Sequence, residues 1–259
     1  VSAQIDITGK TFESFLGFNY YTGIILGFGI VVLYIFSGGF LAVAWSDFFQ
    51  GSLMFVGLLM LPIVAYFSLS SDASLISGLY ALDPALINIW GPGGFSLLNL
   101  ATVAGLVSIG IGFMGSPQVY VRFMAIESEN EIEKGKWVAI IYTLLTDTGA
   151  VMIGLLGRYM LTKTGQDPET VLGVAGENVL AILLNQVMPI AIIGVYIAAV
   201  LSAIMSTVDS LLVVASSAVS RDFYQQIIRP DIDETFLMGL SKKVTLVLAF
   251  LALGVALLV

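Results

Sequence analysis

Apolar runs of membrane length are the feature that most limits what this chain can fold into. Such runs lie at about residues 20–36, 42–69, 96–114, 137–161 and 189–218, and another begins near residue 244. A helix needs roughly 20 apolar residues to cross a bilayer. Only 11% of the 259 residues are charged, compared with about 25% in soluble domains. Because the runs are continuous rather than alternating, we predict an all-α integral membrane protein with about six transmembrane helices.

Composition removes several kinds of chemistry. The chain has no Cys and no His, which excludes disulfides, thiol chemistry, Ser-His catalysis and histidine proton relays within this segment. The net charge of −8 comes mostly from loop residues and is not a strong signal for any partner. The apolar runs predict a lipid bilayer around the chain, and we expect no nucleic-acid partner and no organic cofactor. Since the sequence starts at Val1 and ends in an apolar run, we expect it to be a piece of a longer protein.

Basic residues predict the orientation, because cytoplasmic loops are enriched in Lys and Arg. Seven of the ten basic residues fall on one side: Arg122, Lys134, Lys136, Arg221, Arg229, Lys242 and Lys243. The other side receives Lys10, Arg158 and Lys163. We therefore expect a multi-pass protein of the cytoplasmic membrane, with cytosolic loops at 37–39, 122–136 and 221–243.

A polar helix face inside the fifth run predicts either a cation site or helix packing. Ala203, Ser206, Thr207 and Ser210 are spaced i, i+3, i+4 and i+7, so they share one face. Small residues and hydroxyls also serve ordinary helix–helix packing. The neighbouring Asp209 favours a functional role, since a carboxylate near a helix centre costs roughly 2.5–3.5 kcal/mol and usually faces a partner, a cavity or an ion.

Two further carboxylates and one break in a helix are candidates for function. Asp47 opens the second run, where a helix cap is an equally good interpretation. Asp147 lies mid-membrane in the fourth run and needs a partner there. The third run ends in Gly110, Gly112, Gly115 and Pro117, which weaken regular helix. Such a break either lines a substrate cavity or simply ends the helix.

Four passages make the chain resemble the sodium:solute symporter family, and within it the bacterial sodium/proline symporters. They cover residues 37–50 (SGGFLAVAWSDFFQ), 115–125 (GSPQVYVRFMA), 201–207 (LSAIMST) and 216–224 (SSAVSRDFY). Their order and spacing fit over essentially all of residues 1–259, which we treat as one partial transmembrane domain. The resemblance implies a LeuT-type bundle of inverted repeats, from the end of core helix three to the start of core helix nine.

The resemblance also implies sites and an activity. It places Na⁺, the coupling ion, on Ala203, Ser206 and Thr207, together with backbone carbonyls of the first core helix, which this chain lacks. A second cation site, as in some relatives, would use Asp47, Asp209 and Ser210 along with Ser206. Ile109, Gly112, Phe113, Ser116 and Pro117 fall where relatives hold substrate, although Ile109 and Phe113 replace a Trp and a Tyr and Ser116 replaces a common Gln. The implied function is sodium-coupled symport of proline or another neutral amino acid by alternating access, and not an enzymatic activity.

Other readings stay open on the sequence. Asp47, Asp147 or Asp209 could titrate in a proton-coupled transporter of the same fold, and the substrate could be a sugar or a monocarboxylate. An intramembrane aspartyl protease is disfavoured because neither Asp47 nor Asp147 has a Gly-x-Gly-Asp setting. A passive channel would show ohmic rather than saturable flux.

Overall fold

A computed structural model describes residues 1–69 and 74–258, with backbone only at residues 34, 36–40 and 42. The described residues fold as helices: α1 (Ser2–Leu16), α2 (Tyr20–Phe67), α3 (Leu75–Leu82), α4 (Leu97–Phe113), α5 (Pro117–Met124), α6 (Glu129–Leu161), α7 (Glu169–Leu172), α8 (Val179–Val187), α9 (Ile190–Ser217) and α10 (Glu234–Leu258). Short 3₁₀ turns lie at Pro84–Ile87 and Val174–Gly176, and α9 continues as a π-helix over Ala218–Ile228.

Five of these helical stretches are long and apolar enough to cross a membrane within the described residues. They are Val43–Phe67, Leu97–Met124, Glu129–Leu161, Ile190–Ile228 and Glu234–Leu258, and the pair Ser2–Leu16 and Tyr20–Leu33, bent by 118°, makes a sixth if it counts as one span. The all-α membrane class and the number of about six spans are therefore confirmed.

The expected loop at residues 37–39 is wrong, because helix α2 runs through it from Tyr20 to Phe67. Gly costs only about 1 kcal/mol in a helix, and the apolar residues on either side favour helix. At 1.5 Å per residue, α2 is about 72 Å long, more than twice the hydrocarbon thickness. The cytosolic loop that we placed there is absent, while the orientation of the other loops stays a prediction. Part of the expected 70–95 loop, residues 70–73, lies outside the described ranges, and the rest contains α3.

Helix ends differ from expectation in two more places. Helix α10 begins at Glu234, ten residues before the apolar run expected from about residue 244, since Asp233 lies just before the helix and its carboxylate accepts the Thr235 backbone N–H. The chain start is a full helix, α1, that ends at Gly17 in a left-handed conformation with φ of 66°. Gly tolerates that conformation at no steric cost, which is why α1 stops there.

Contacts divide the chain into two compact units, Val1–Met54 with Gly194–Val259, and Phe55–Ile193. In the first unit, α1 lies close against α2 because small residues meet: a Cβ on Gly27 would sit 2.2 Å from the Thr8 methyl carbon. Both helices share an apolar core with α9 and α10, formed by Ile5, Ile24, Phe28, Val31, Ile35, Ile204, Val208, Leu212, Ala249 and Ala256. Ser216 Oγ ties α9 to α10 through the Ser241 carbonyl at 2.8 Å.

The second unit is assembled around α6. A Cβ on Gly149 would lie 2.4 Å from the Leu58 carbonyl oxygen, so α6 contacts the α2 backbone directly. Phe55 and Tyr142 stack in the same contact, with ring centroids 5.4 Å apart. Nearer its end, α6 packs against α8 at Gly157 and against α3 at Tyr159. Helix α4, by contrast, has no buried residue, which suits a lipid-facing or partner-facing span.

Candidate cation site

The polar face of α9 is formed by the expected residues, and helical spacing brings their oxygens together. The Ser206 hydroxyl donates to the Ala203 carbonyl at 3.1 Å, and the Thr207 hydroxyl donates to the same carbonyl at 3.2 Å. Ser and Thr commonly bond one turn back in this way. Ala203 and Ser206 are half-buried and Thr207 is exposed within its unit. Three oxygens thus cluster on an accessible face, with hydroxyl lone pairs left for a hard cation such as Na⁺.

A second cluster lies next to the first and is more deeply buried. Asp209 is 0% exposed. The Ser210 hydroxyl donates to the Ser206 carbonyl at 2.7 Å. The same Ser210 Oγ lies 3.4 Å from Asp209 Oδ1 and 3.5 Å from Asp47 Oδ2. The hydroxyl has one proton, which the short bond to Ser206 uses. Two carboxylates from helices α2 and α9 therefore converge on one oxygen.

Convergence of two carboxylates favours a bound cation or a shared proton. Like charges in a poorly solvated site repel one another unless one group is neutralised or a cation lies between them. The described residues contain no group of three or more His, Cys, Asp or Glu side chains placed to hold a metal ion. A site here would have to use hydroxyl, carbonyl and amide oxygens beside its two carboxylates.

Sequence reasoning missed Gln50 as a member of this region. Gln50 follows Asp47 by three residues on α2, so the two share a face. Its side-chain oxygen is buried and has no hydrogen-bond donor within the part of the chain that the structure describes. The signal was available, because a second polar residue three positions from a carboxylate in an apolar helix indicates one common polar face.

The helix break is present, and it separates two helical pieces. Helix α4 ends at Phe113, residues 114–116 form a turn, and α5 resumes at Pro117. The segment is therefore a broken helix rather than a helix end that enters a loop. Ile109 and Phe113 are 66% and 60% exposed, and Ser116 is half-buried. These substrate candidates belong to the second unit, whereas the α9 and α2 oxygens belong to the first.

Asp147 is exposed within its unit. Its carboxylate makes no hydrogen bond or ion pair inside the described ranges, although Thr146 and Thr148 on either side bond to their own helix. The structure thus gives Asp147 no role comparable with that of Asp209.

An all-helical membrane protein with a cation-type oxygen cluster on the face of a membrane-length helix is, by class, a candidate ion-coupled carrier. The chain matches the model of the Sodium:solute symporter family over residues 1–259 and belongs to that family. With its helices of membrane length, it is a multi-pass protein of the cell membrane.

Relatives within the family carry transport names. The chain is 36% identical over 259 residues to the "High-affinity proline transporter PutP" of Bacillus subtilis (strain 168), covering 99% of this chain and 52% of that protein. It is 34% identical over 255 residues to a "Sodium/proline symporter" of Staphylococcus aureus, with 96% and 47% covered. The "Osmoregulated proline transporter OpuE" of Bacillus subtilis (strain 168) is 32% identical over 247 residues, with 94% and 48% covered. The chain spans about half the length of these curated relatives.

Proposed function

We propose that this chain forms the ion-coupling part of a sodium-driven symporter for proline or another neutral amino acid. The observation that carries the proposal is the oxygen cluster on α9, where the Ser206 and Thr207 hydroxyls both lie within 3.2 Å of the Ala203 carbonyl oxygen. Such an oxygen set binds a hard cation without a carboxylate in direct contact. The names of the similar proteins support proline as the first substrate to test.

Coupling follows from differential binding. A Na⁺ ion on Ser206, Thr207 and the Ala203 carbonyl drives transport only if it binds one conformation of the carrier more tightly than the other. Each charge that crosses 100 mV releases about 2.3 kcal/mol, and the concentration gradient adds to that. Loss of one hydroxyl from the cluster should therefore weaken the activation of uptake by sodium.

The test is sodium-activated uptake of radiolabelled L-proline by the full-length protein in proteoliposomes. Ser206→Ala and Thr207→Ala should each raise the sodium concentration for half-maximal uptake by about tenfold, the equivalent of about 1.4 kcal/mol. Ser217→Ala removes a hydroxyl from the end of the same helix, ten residues and about 15 Å beyond Thr207, and should leave that concentration unchanged. The same sodium concentration for half-maximal uptake in the unchanged protein and in all three variants would refute the proposal.

Proton coupling is the second candidate, and one observation favours it. Asp47 and Asp209 converge on the Ser210 hydroxyl, within 3.5 Å, so a proton could replace a cation between them. Uptake that persists without sodium and follows an imposed pH gradient would support this alternative. Asp209→Asn should then abolish the pH response and leave facilitated exchange of proline intact.

A further inference from the structure

A cavity beside the end of α6 has no part in the proposed cation site. It has a volume of about 480 Å³ and is open to solvent, within the roughly 300–1,000 Å³ range of small-molecule sites. Residues from α6, α7, the Val174–Gly176 turn and the Asp83–Leu86 stretch line it. All of these belong to the second unit, and the orientation predicted from the basic residues places this end of α6 outside the cell.

Arg158 is the exceptional residue of this cavity. Its Nη1 atom is buried and has no hydrogen-bond acceptor in the described ranges. Within those ranges Arg158 forms no ion pair, although Asp83 and Glu169 line the same cavity. The half-buried Arg158 side chain lines the cavity, and the group that a guanidinium binds best is a carboxylate.

The cavity walls supply the other chemistry of an amino acid. Asp83 and Glu169 are exposed, and their charges suit an ammonium or a secondary amine cation. Leu86, Leu172 and Val179 provide apolar surface. One cationic group, two carboxylates and an apolar wall match a zwitterion with an apolar side chain, whereas a simple anion would meet the two carboxylates unfavourably.

Local backbone structure fixes the shape of the cavity. Gly173 and Gly176 have φ of 78°, and Ala175, between them, has φ of 54°. Left-handed backbone is strained for Ala, and strain of this kind is concentrated at binding sites. Next to the cavity α6 packs closely on both sides: a Cβ on Gly157 would lie 2.2 Å from Val179 Cγ2, and one on Gly78 would lie 2.1 Å from the Tyr159 ring.

We propose that this cavity is an outer-face binding site for a zwitterionic amino acid, with Arg158 holding its carboxylate and Asp83 or Glu169 facing its amine. The site would collect the solute before transport, and in that role it rests on the proposed function. Binding itself does not depend on sodium, because no residue of the α9 cluster lines the cavity.

The absence of Cys from the chain allows a direct test in the full-length protein in a cysteine-free background. Ala175→Cys places a thiol in the cavity wall, and Lys163→Cys places one elsewhere on the same loop as a matched control. The rate of labelling by a membrane-impermeant maleimide is measured in sodium-free buffer with and without L-proline. Two probes dissect the charges: pyrrolidine lacks the carboxylate, and cyclopentanecarboxylate lacks the amine.

Saturating L-proline should slow labelling of Ala175→Cys by about tenfold and leave Lys163→Cys unchanged, and each probe alone should be at least about tenfold weaker than proline. Arg158→Gln should remove the protection, while Arg158→Lys, which keeps the charge and helps to detect misfolding, should keep part of it. No protection by proline, unchanged protection in Arg158→Gln, or equal protection by cyclopentanecarboxylate would overturn the proposal.

The sodium dependence of labelling and of uptake distinguishes failure of the cavity proposal from failure of the proposed function. Protection that requires sodium and disappears in Ser206→Ala would arise from the α9 cluster and would overturn the cavity proposal. Protection without sodium, in a protein whose proline uptake does not respond to sodium, would support the cavity and refute the coupling proposal.

Discussion

Asp209 and Asp147 are both carboxylates near the middle of a membrane-length helix, yet the structure gives them opposite surroundings. Asp209 is 0% exposed and lies 3.4 Å from the Ser210 hydroxyl, which Asp47 also approaches. Asp147 is exposed and lies two residues from Gly149, the point where α6 contacts the Leu58 carbonyl. Two residues turn an α-helix by about 200°, so Asp147 lies on the side away from that contact. The difference teaches that two carboxylates at similar depth in a helix can differ completely in burial and in the oxygens around them, and only convergence of the Asp209 kind suits a bound cation or a shared proton.

The strongest way to break this comparison is to neutralise each carboxylate in turn. Asp209→Asn should raise the sodium concentration for half-maximal proline uptake by roughly ten- to a hundredfold, since it removes an interaction of about 1.5–3 kcal/mol with a charged group. Asp147→Asn should change that concentration less than about twofold. Sodium titrations of uptake in proteoliposomes measure both, and equal effects would show that the convergence on Ser210 is irrelevant.

The next largest expected effect is on the free energy of unfolding, at the contact between α6 and α2 on the opposite side of α6 from Asp147. Gly149→Ala would place a methyl group 2.4 Å from the Leu58 carbonyl oxygen, which is backbone and must shift, so we expect a loss of about 1–3 kcal/mol in the free energy of unfolding. Gly135→Ala on the same helix meets nothing within 4 Å and should stabilise slightly through helix propensity. Reversible unfolding in mixed detergent micelles measures both. If Gly149→Ala were as stable as Gly135→Ala, the close contact of α6 with α2 would be wrong.

The smallest expected effect is on the free energy of unfolding, when one hydroxyl is removed from α9, near Asp209, or from α6, near Asp147. Ser216 is 1% exposed, and its Oγ reaches the Ser241 carbonyl on the neighbouring helix at 2.8 Å. Ser216→Ala should lower the free energy of unfolding by about 0.6 kcal/mol, the average for such interhelical bonds. Thr148→Val, next to Asp147, removes an exposed hydroxyl whose bond, within the described residues, goes to Leu144 of its own helix, so the loss in the free energy of unfolding should be smaller. A larger loss for Thr148→Val would contradict the packing described for α9 and α10.

The sequence determined the class of the protein and the register of its polar faces. Apolar runs that need a bilayer to hide their backbone and side chains leave few alternatives to transmembrane helices, and helical spacing alone places Ala203, Ser206 and Thr207 on one face. The break after Phe113 was also readable, because Gly and Pro weaken a helix wherever they concentrate. Glycine was less reliable at residues 37–39, where its cost of about 1 kcal/mol is too small to end a helix between apolar neighbours.

Only the tertiary structure decided which polar groups meet. Asp47 and Ser210 are 163 positions apart, and no local pattern fixes such a contact, since it depends on how α2 and α9 pack. The same holds for the buried oxygen of Gln50 and for the Arg158 cavity, whose walls come from three separate stretches of the second unit, at residues 83–86, 151–158 and 168–179. Helical periodicity is a short-range property that the sequence carries directly, whereas burial and convergence are set by side-chain packing between distant segments.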